Sequence, residues 1–279
     1  MMSAIEVKGR VLVIAGSDSG GGAGIQADVK TISALGGYTA TAITAVTNQD
    51  TNTVHGVHAI PPAFVAAQIG TVLSDIGADV VKTGMLGSND VIEAVANALA
   101  EWGADIPRVV DPVMVAKGGH RLISEDAVDQ LKNRLILGAT LVTPNLPEAE
   151  VLTGLEIRTV ADMEAAIDDL RQLGAKAVLL KGGHLEGDHI VDLLVTESGV
   201  QKFEGRRVDS SSTHGTGCTL ASAIAVSLAQ KLSLAAAVSR ARDYVVTAIE
   251  SAPGYGNGHG PLNHGHTIRA DVQPDPMAS

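Results

Sequence analysis

Residues 11–46 read VLVIAGSDSGGGAGIQADVKTISALGGYTATAITAV and predict two strands joined by a helix. The apolar and β-branched runs at 11–15 and 38–46 are typical of buried strands, whereas residues 25–35 carry a helical apolar stripe. Two neighbouring strands that are connected through a helix pair in parallel. This unit therefore predicts an α/β protein whose first strand ends in a glycine-rich turn at 16–24.

The same alternation of strands and helices continues to about residue 250. Further strands are predicted at 79–82, 108–111, 140–142, 177–181 and 190–196, and further helices at 63–74, 90–102, 124–135, 160–173, 219–230 and 234–251. The pattern predicts a three-layer α/β/α sandwich with a mainly parallel central sheet. We expect one domain over residues 1–268 and a disordered C-terminal tail at 269–279.

Composition excludes several classes of partner. The net charge of −11 argues against nucleic acid and against an anionic membrane, because both need a basic surface. The single cysteine cannot form an internal disulfide, and the apolar run at 11–14 is too short for a signal peptide or a membrane span. We therefore expect a cytoplasmic protein that acts on a small molecule.

Polar and glycine-rich segments follow most of the predicted strands. In open α/β sheets, ligands bind beyond the carboxyl ends of the strands. The segments at these ends are 16–24, 47–50, 83–86, 111–114, 143–148 and 181–184. We expect one crevice to collect them.

The sequence STHGTGCT at 212–219 places the only cysteine on a glycine-flanked turn before a helical stretch. The first-turn amides of a helix lack intrahelical acceptors and favour an anion, so the amides of Gly215–Cys218 predict a phosphate site. The same position is expected to lower the pKa of Cys218, which would let the thiol accept a proton from a substrate hydroxyl. The alternative is a buried cysteine that acts only as a small apolar residue.

Two common nucleotide-binding motifs can be compared with the sequence. The sequence has no Gly-x4-Gly-Lys-Ser/Thr window, which argues against a Walker-type P-loop. Gly22, Gly24 and Ala27 fit a tolerated form of the dinucleotide fingerprint, and Asp50 could then bind a ribose. This Rossmann alternative leaves Cys218 without a role.

Five segments resemble, in order and spacing, the hydroxymethylpyrimidine/phosphomethylpyrimidine kinases of thiamin biosynthesis, which have the ribokinase-like fold. They are AGSDSGGGAGIQAD at 15–28, KTGML at 82–86, DPVMVAK at 111–117, TPNLPEAE at 143–150 and THGTGCT at 213–219. The resemblance covers residues 10–268 and implies ATP-dependent phosphorylation of 4-amino-5-hydroxymethyl-2-methylpyrimidine and of its monophosphate. It also implies Mg²⁺ and a homodimer.

Asn145 and Glu148 lie three residues apart just past a predicted strand, where an amide and a carboxylate can hold the Mg²⁺ and phosphates of a nucleotide. Equally, they fit the acidic first turn of a helix after Pro144. The resemblance implies Asp111 and Glu148 as metal ligands and Asn145 as an ATP contact. Lys181 is a candidate to meet the phosphate charge of ATP.

The resemblance also implies a substrate site and a catalytic turn. The implied substrate-binding residues are Gly16, Asp28, Gln49, Met85 and Val113. Lys117, on the substrate side, is like Lys181 a candidate to meet phosphate charge. The implied catalytic residues are Cys218, as proton acceptor, and Gly215, Thr216 and Gly217, whose amides stabilise developing charge.

Two departures from the family pattern and three alternative functions accompany this prediction. Gly118-Gly119-His120 stands where Ser-Gly-Asp is expected after Lys117, and Gly20 stands where serine is frequent. The nearest alternative activity is that of a pyridoxal or pyridoxine kinase, and a non-catalytic ligand-binding protein is another. The third alternative is a metal-binding module formed by His259, His264 and His266.

Overall fold

One sheet runs through the whole computed structural model, which describes residues 6–114 and 125–268. Its strands are β1 (Arg10–Asp18), β2 (Tyr38–Gln49), β3 (Val54–Ala59), β4 (Val80–Thr83), β5 (Arg108–Val110), β6 (Leu141–Val142), β7 (Ala177–Leu180), β8 (His189–Thr196) and β9 (Gly199–Arg206). Their order across the sheet is β3-β2-β1-β4-β5-β6-β7-β8-β9.

Six adjacent strands of the sheet are parallel to one another: β2, β1, β4, β5, β6 and β7. Strand β3 on one side and strand β8 on the other pair with them antiparallel, and β9 pairs antiparallel with β8. This confirms the predicted mainly parallel sheet. The prediction missed β3 and β9. Residues 55–59 of β3 are exposed on both faces, and β9 is polar apart from Val200 and Phe203, so neither segment has the apolar pattern of a buried strand.

Helices cover both faces of the sheet. Their bounds are α1 (Gly24–Ala34), α2 (Pro62–Asp75), α3 (Asn89–Trp102), α4 (Glu125–Leu131), α5 (Leu146–Thr153), α6 (Val160–Ala165), α7 (Ile167–Gln172), α8 (Thr216–Ala229) and α9 (Leu234–Glu250). Helices α1, α8 and α9 pack on one face and α2 to α7 on the other. The three-layer α/β/α prediction is confirmed.

Strand β1 shows why the sheet lies between two cores. Val11, Val13 and Ala15 belong to the core under α8, whereas Leu12 and Ile14 belong to the core on the opposite face. All five are at most 1% exposed. Alternate side chains of a strand point to opposite faces, so a continuous apolar run fits a strand that is covered on both sides.

Four helical regions differ from the predicted pattern. Helix α5 was predicted only as the alternative interpretation of Asn145 and Glu148. Helix α8 begins at Thr216 instead of residue 219, and the helix predicted at 160–173 is divided at Ala166. The predicted helix at 124–135 continues past α4 as a π-helical segment, Lys132–Ile136. These differences lie at helix ends and joints, where apolar periodicity carries little information.

Several predictions concern residues outside the described ranges. They include Lys117, the sequence Gly118-Gly119-His120 and the tail at 269–279. Among the helices that are described, none combines the length and the hydropathy that a membrane span requires.

Candidate active site

A cavity of about 490 Å³ opens at the carboxyl ends of the parallel strands. Strand β1 lies between β2 and β4 in the sheet, and the direction in which successive strands are added reverses there. Open α/β sheets bind ligands at such a topological switch point. The predicted site residues that line it are Gly16, Gln49, Met85, Asp111, Val113, Asn145, Glu148, Lys181, Gly215, Thr216, Gly217 and Cys218. The predicted crevice therefore exists, and it collects all the predicted site residues except Asp28 and the undescribed Lys117.

The turn before α8 depends on Gly215. This residue has a φ of +83°, and a Cβ there would lie 1.8 Å from the carbonyl oxygen of Gly22. Gly215 is the N-cap of α8, so Thr216, Gly217 and Cys218 form its first turn. Their amides lie at the positive end of the helix and border the cavity, which is the arrangement that favours an anion.

The Cys218 thiol does not have the lowered pKa that its helix position predicted. Burial raises the pKa of Cys218 to about 12, although Lys82 and the Gly24 amide act in the opposite direction. The expected activation by the helix N-terminus is therefore wrong, because desolvation of a thiolate outweighs it here. The thiol is protonated at neutral pH.

Asp111 and Lys181 form an ion pair opposite this turn. Lys181 Nζ lies 3.2 Å from Asp111 Oδ1, and the hydroxyl of Thr143 donates to the same oxygen at 3.2 Å. Burial alone would lower the pKa of Lys181, but Asp111 and Glu148 outweigh it and raise that pKa. A cation that stays charged thus stands beside a buried carboxylate.

Asn145 and Glu148 form the capping box of α5. The Asn145 side chain accepts from the Glu148 amide at 2.9 Å, and Glu148 Oε2 accepts from the Asn145 amide at 2.9 Å. The helix-start alternative is therefore correct, and the same two residues also line the cavity. Burial raises the pKa of Glu148 while Lys181 opposes the shift.

Asp28 does not line the cavity, so its position does not support the predicted direct contact with substrate. Its carboxylate is fully buried and accepts from Lys82 Nζ at 2.9 and 3.0 Å and from Ser222 Oγ at 2.6 Å. Lys82 is also fully buried. Burial would lower the pKa of Lys82, but Asp28 and other nearby acidic groups raise it, so the amine stays charged.

Asp18, which no sequence motif singled out as a site residue, organises the glycine-rich turn. Its carboxylate accepts from the amides of Gly20, Gly22 and Ala23 at 2.8–3.0 Å and lies 2.9 Å from His214 Nε2. Burial opposes ionisation, but these hydrogen bonds hold the pKa of Asp18 below its ordinary value. An aspartate two residues before a glycine run was the available signal, since Asp side chains often bond the amides that follow them.

This use of the turn contradicts the Rossmann alternative. A dinucleotide fingerprint needs free amides in the turn to hold a pyrophosphate, whereas Asp18 occupies those of Gly20, Gly22 and Ala23. Asp50, the candidate ribose ligand, instead pairs with His55 at 2.9 Å.

The C-terminal histidines serve the fold. His264 Nε2 lies 3.0 Å from Thr219 Oγ1 in α8, and burial lowers the pKa of His264 to about 4. His266 contacts the Tyr244 carbonyl at 3.1 Å. Within residues 6–114 and 125–268, no group of three or more His, Cys, Asp or Glu side chains is placed to hold a metal ion, which contradicts the metal-module alternative.

The chain matches known kinases over nearly its whole length. Residues 18–263 match the family model described as phosphomethylpyrimidine kinase. The chain is 54% identical to the thiamine biosynthesis bifunctional protein ThiED of Geobacter sulfurreducens, over 92% of this chain and 52% of that protein. It thus spans about half the length of that relative.

Two further similarities cover nearly the full length of both chains. The chain is 46% identical to the hydroxymethylpyrimidine/phosphomethylpyrimidine kinase of Bacillus subtilis, over 91% of this chain and 94% of that protein. The structure of the pyridoxal kinase from Staphylococcus aureus in complex with ADP superposes with a TM-score of 0.86 at 36% identity, covering 96% of each chain.

The fold, the cavity at the switch point and these similarities define a small-molecule kinase of the ribokinase-like class. Within that class, the chain belongs to the phosphomethylpyrimidine kinase family. The family resemblance seen in the five sequence segments is therefore confirmed.

Proposed function

We propose that this protein transfers the γ-phosphoryl group of ATP to 4-amino-5-hydroxymethyl-2-methylpyrimidine and then to its monophosphate, in thiamin biosynthesis. The observation that carries the proposal is the family match over residues 18–263, which includes each described segment that lines the cavity from Asp18 to Cys218. The first-turn amides of α8 and the Lys181 amine supply the positive field that an acidic protein needs around phosphate.

Phosphoryl transfer here depends chiefly on positioning and charge. The substrate hydroxyl attacks the γ-phosphorus in line, the bond to the leaving ADP oxygen breaks, and the hydroxyl proton passes to a base. The amides of Thr216, Gly217 and Cys218 stabilise the charge on the transferred oxygens, and Lys181 adds a fixed cation.

Asp111 and Glu148 fit a bound Mg²⁺. A Cβ on Gly217 would lie 3.5 Å from Lys181 Nζ and 3.8 Å from Asp111 Oδ2, so the glycine leaves space for a ligand in front of both groups. Carboxylate oxygens suit Mg²⁺, which usually takes only one or two of them and completes its shell with phosphate and water. Asp111 and Glu148 would hold the ion, which would supply positive charge against the phosphates, and Asn145 and Lys181 would contact the nucleotide.

The substrate ring would lie against Gly16, Met85 and Val113, with Gln49 as its hydrogen-bonding partner. A Cβ on Gly16 would lie 2.4 Å from Met85 Cε, so this glycine permits the methionine to form a flat apolar floor. The Gln49 amide can both donate and accept, which suits a ring nitrogen beside an exocyclic amine.

A Mg²⁺- and ATP-dependent assay with hydroxymethylpyrimidine, its monophosphate and pyridoxine tests the proposal. We expect diphosphate from both pyrimidines, resolved by anion exchange or mass spectrometry. Preferred turnover of pyridoxine would favour the pyridoxal kinase alternative, which the similarity to the Staphylococcus aureus enzyme supports. Binding without turnover would contradict the proposal and favour a non-catalytic protein.

The Cys218→Ala variant is expected to keep measurable activity. Because the thiol is protonated at neutral pH, it is a poor base, and in a loose transition state the proton leaves late. We expect kcat to fall by less than about 100-fold, the lower end of the range for a lost general base. A larger loss with unchanged folding would show that the thiolate is essential.

We further propose a cytoplasmic homodimer in which residues 1–268 of each chain form one domain. The continuous sheet and its two cores support a single domain. The edge strand β3 exposes residues 55–59, and such edges readily pair with a second chain. Sedimentation equilibrium should give twice the chain mass of 28.5 kDa, and a monomeric mass at micromolar concentration would contradict the dimer.

A further inference from the structure

Asp18, His214 and Gln49 form a chain of polar contacts at the cavity. His214 Nε2 lies 2.9 Å from Asp18 Oδ2 and 3.3 Å from the Gln49 side-chain nitrogen. The His214 side chain is 10% exposed, and a Cβ on Gly22 would lie 2.5 Å from its Cδ2 atom. The ring is therefore held in place by packing as well as by Asp18.

The Asp18 contact determines which His214 nitrogen carries hydrogen. An ionised carboxylate only accepts hydrogen bonds, so the close contact to Asp18 requires a hydrogen on Nε2. The Nε2 hydrogen is directed at Asp18, so Nε2 has no lone pair to accept from the Gln49 NH₂ group, whereas the Gln49 amide oxygen can share that hydrogen in a three-centre contact. Because the amide oxygen and nitrogen are assigned from their hydrogen-bonding partners, the Gln49 oxygen belongs on the His214 side.

Thr47 favours the same orientation independently. Its hydroxyl donates to the Ser17 carbonyl at 2.9 Å, so its single hydrogen is used. The Gln49 atom that faces Thr47 Oγ1 at 3.5 Å then meets only a lone pair, and at this long distance the amide nitrogen is the better match.

The backbone of Gln49 is also fixed. Ser19 Oγ accepts from the Gln49 amide at 2.8 Å and donates to the Gln49 carbonyl at 2.9 Å. Backbone and side chain are thus positioned by separate contacts, and Gln49 lines the cavity. One hydrogen on the Gln49 side-chain nitrogen and one lone pair on its oxygen are left for a ligand. The protein fixes the positions of this donor and this acceptor.

We propose that His214, held by Asp18, is a positioning residue that fixes the Gln49 amide and thereby sets substrate specificity. The inference rests on the proposed function. In hydroxymethylpyrimidine the exocyclic amine adjoins a ring nitrogen, so a donor and an acceptor lie side by side and match an amide presented in a fixed order. Pyridoxine has no such adjacent pair. A fixed Gln49 therefore favours binding of the aminopyrimidine, because the side chain is already immobilised and binding incurs no further entropy cost for ordering it.

Variants of His214 separate this role from a general structural one. Gln keeps an N–H donor near the Nε2 position, whereas Met has a similar size and no donor. We expect His214→Met to raise KM for hydroxymethylpyrimidine about 10-fold with a smaller change in kcat, because it loosens binding and leaves the chemical groups in place. His214→Gln should stay within about 3-fold of the parent protein, and pyridoxine kinetics should change little in either variant.

A double-mutant cycle tests whether His214 acts through Gln49. In a Gln49→Met background, the further change His214→Met should no longer raise KM for hydroxymethylpyrimidine. An equal increase in KM with and without Gln49, or no increase in the single variant, would overturn the proposal.

A second measurement does not depend on turnover or on a variant that folds. The ¹⁵N chemical shifts of His214 in the parent protein report which ring nitrogen is protonated, and we expect Nε2 to carry hydrogen at neutral pH. An unprotonated Nε2 would overturn the proposal. If the parent protein phosphorylates no aminopyrimidine, the proposed function fails by that result alone, while the ¹⁵N shifts still decide how Gln49 is oriented.

Discussion

Gly215→Ala is expected to remove most of the kinase activity. The residue has a φ of +83°, where an L side chain costs about 1–2 kcal/mol. The added Cβ would lie 1.8 Å from the Gly22 carbonyl oxygen, so the two loops must separate. That movement displaces the first-turn amides of α8 from the phosphate, and loss of such donors costs about 100- to 1,000-fold in kcat. Steady-state kinetics with saturating ATP measure the loss.

Gly217→Ala is the matched control for folding. Its Cβ would meet nothing closer than 3.5 Å, and alanine suits a helix better than glycine. We expect the free energy of unfolding of Gly217→Ala in urea to equal or exceed that of the parent protein. Backbone strain and overpacking should lower the free energy of unfolding of Gly215→Ala by several kcal/mol. Overpacking alone accounts for about 1–3 kcal/mol of this loss. The Gly217→Ala methyl group points towards Lys181 and Asp111, so its activity should fall without loss of stability. Full activity in Gly215→Ala would contradict the assignment of this turn to phosphate.

The fold could be predicted because its decisive signals are local. The apolar run of β1 is continuous since helices cover both faces of the sheet, and such runs recur before each polar segment. Strands β3 and β9 lack that signal because they lie at the edges, where side chains face solvent. Their pairing is determined by the neighbouring strands, which a local pattern does not reveal.

The composition of the cavity followed from the rule that strand ends converge, but its electrostatics did not. The pKa of Cys218 depends on how deeply α8 is buried, and the sequence shows only that the cysteine opens a helix. Likewise, the motif around Asp28 gives no sign that Lys82, 54 residues later, lies directly against it. Long-range contacts between charged groups are products of the whole fold.

Lys82→Met is expected to cause the largest loss of stability among the proposed variants. Asp28 and Lys82 are both 0% exposed, so the substitution leaves a carboxylate buried without its cation. Removing one partner of a buried ion pair costs about 3–5 kcal/mol. Urea unfolding should show this loss. Lys202→Met removes the partner of Glu164 in a pair that is 48% and 44% exposed, and it should leave the free energy of unfolding nearly unchanged, because solvent screens exposed ion pairs.

The sign of the pH dependence identifies the cause of that loss. Without Lys82, burial raises the pKa of Asp28 further above its unfolded value, so the folded state binds a proton that the unfolded state releases as the pH rises. The defect of Lys82→Met should therefore be smaller at about pH 5 than at about pH 8. Asp28→Asn in the same background should recover part of the stability, because a neutral amide needs no counter-charge and can still accept from Ser222. A defect that is equal at both pH values and unchanged by Asp28→Asn would instead indicate a packing fault, and the buried charge of Asp28 would then contribute little to the fold.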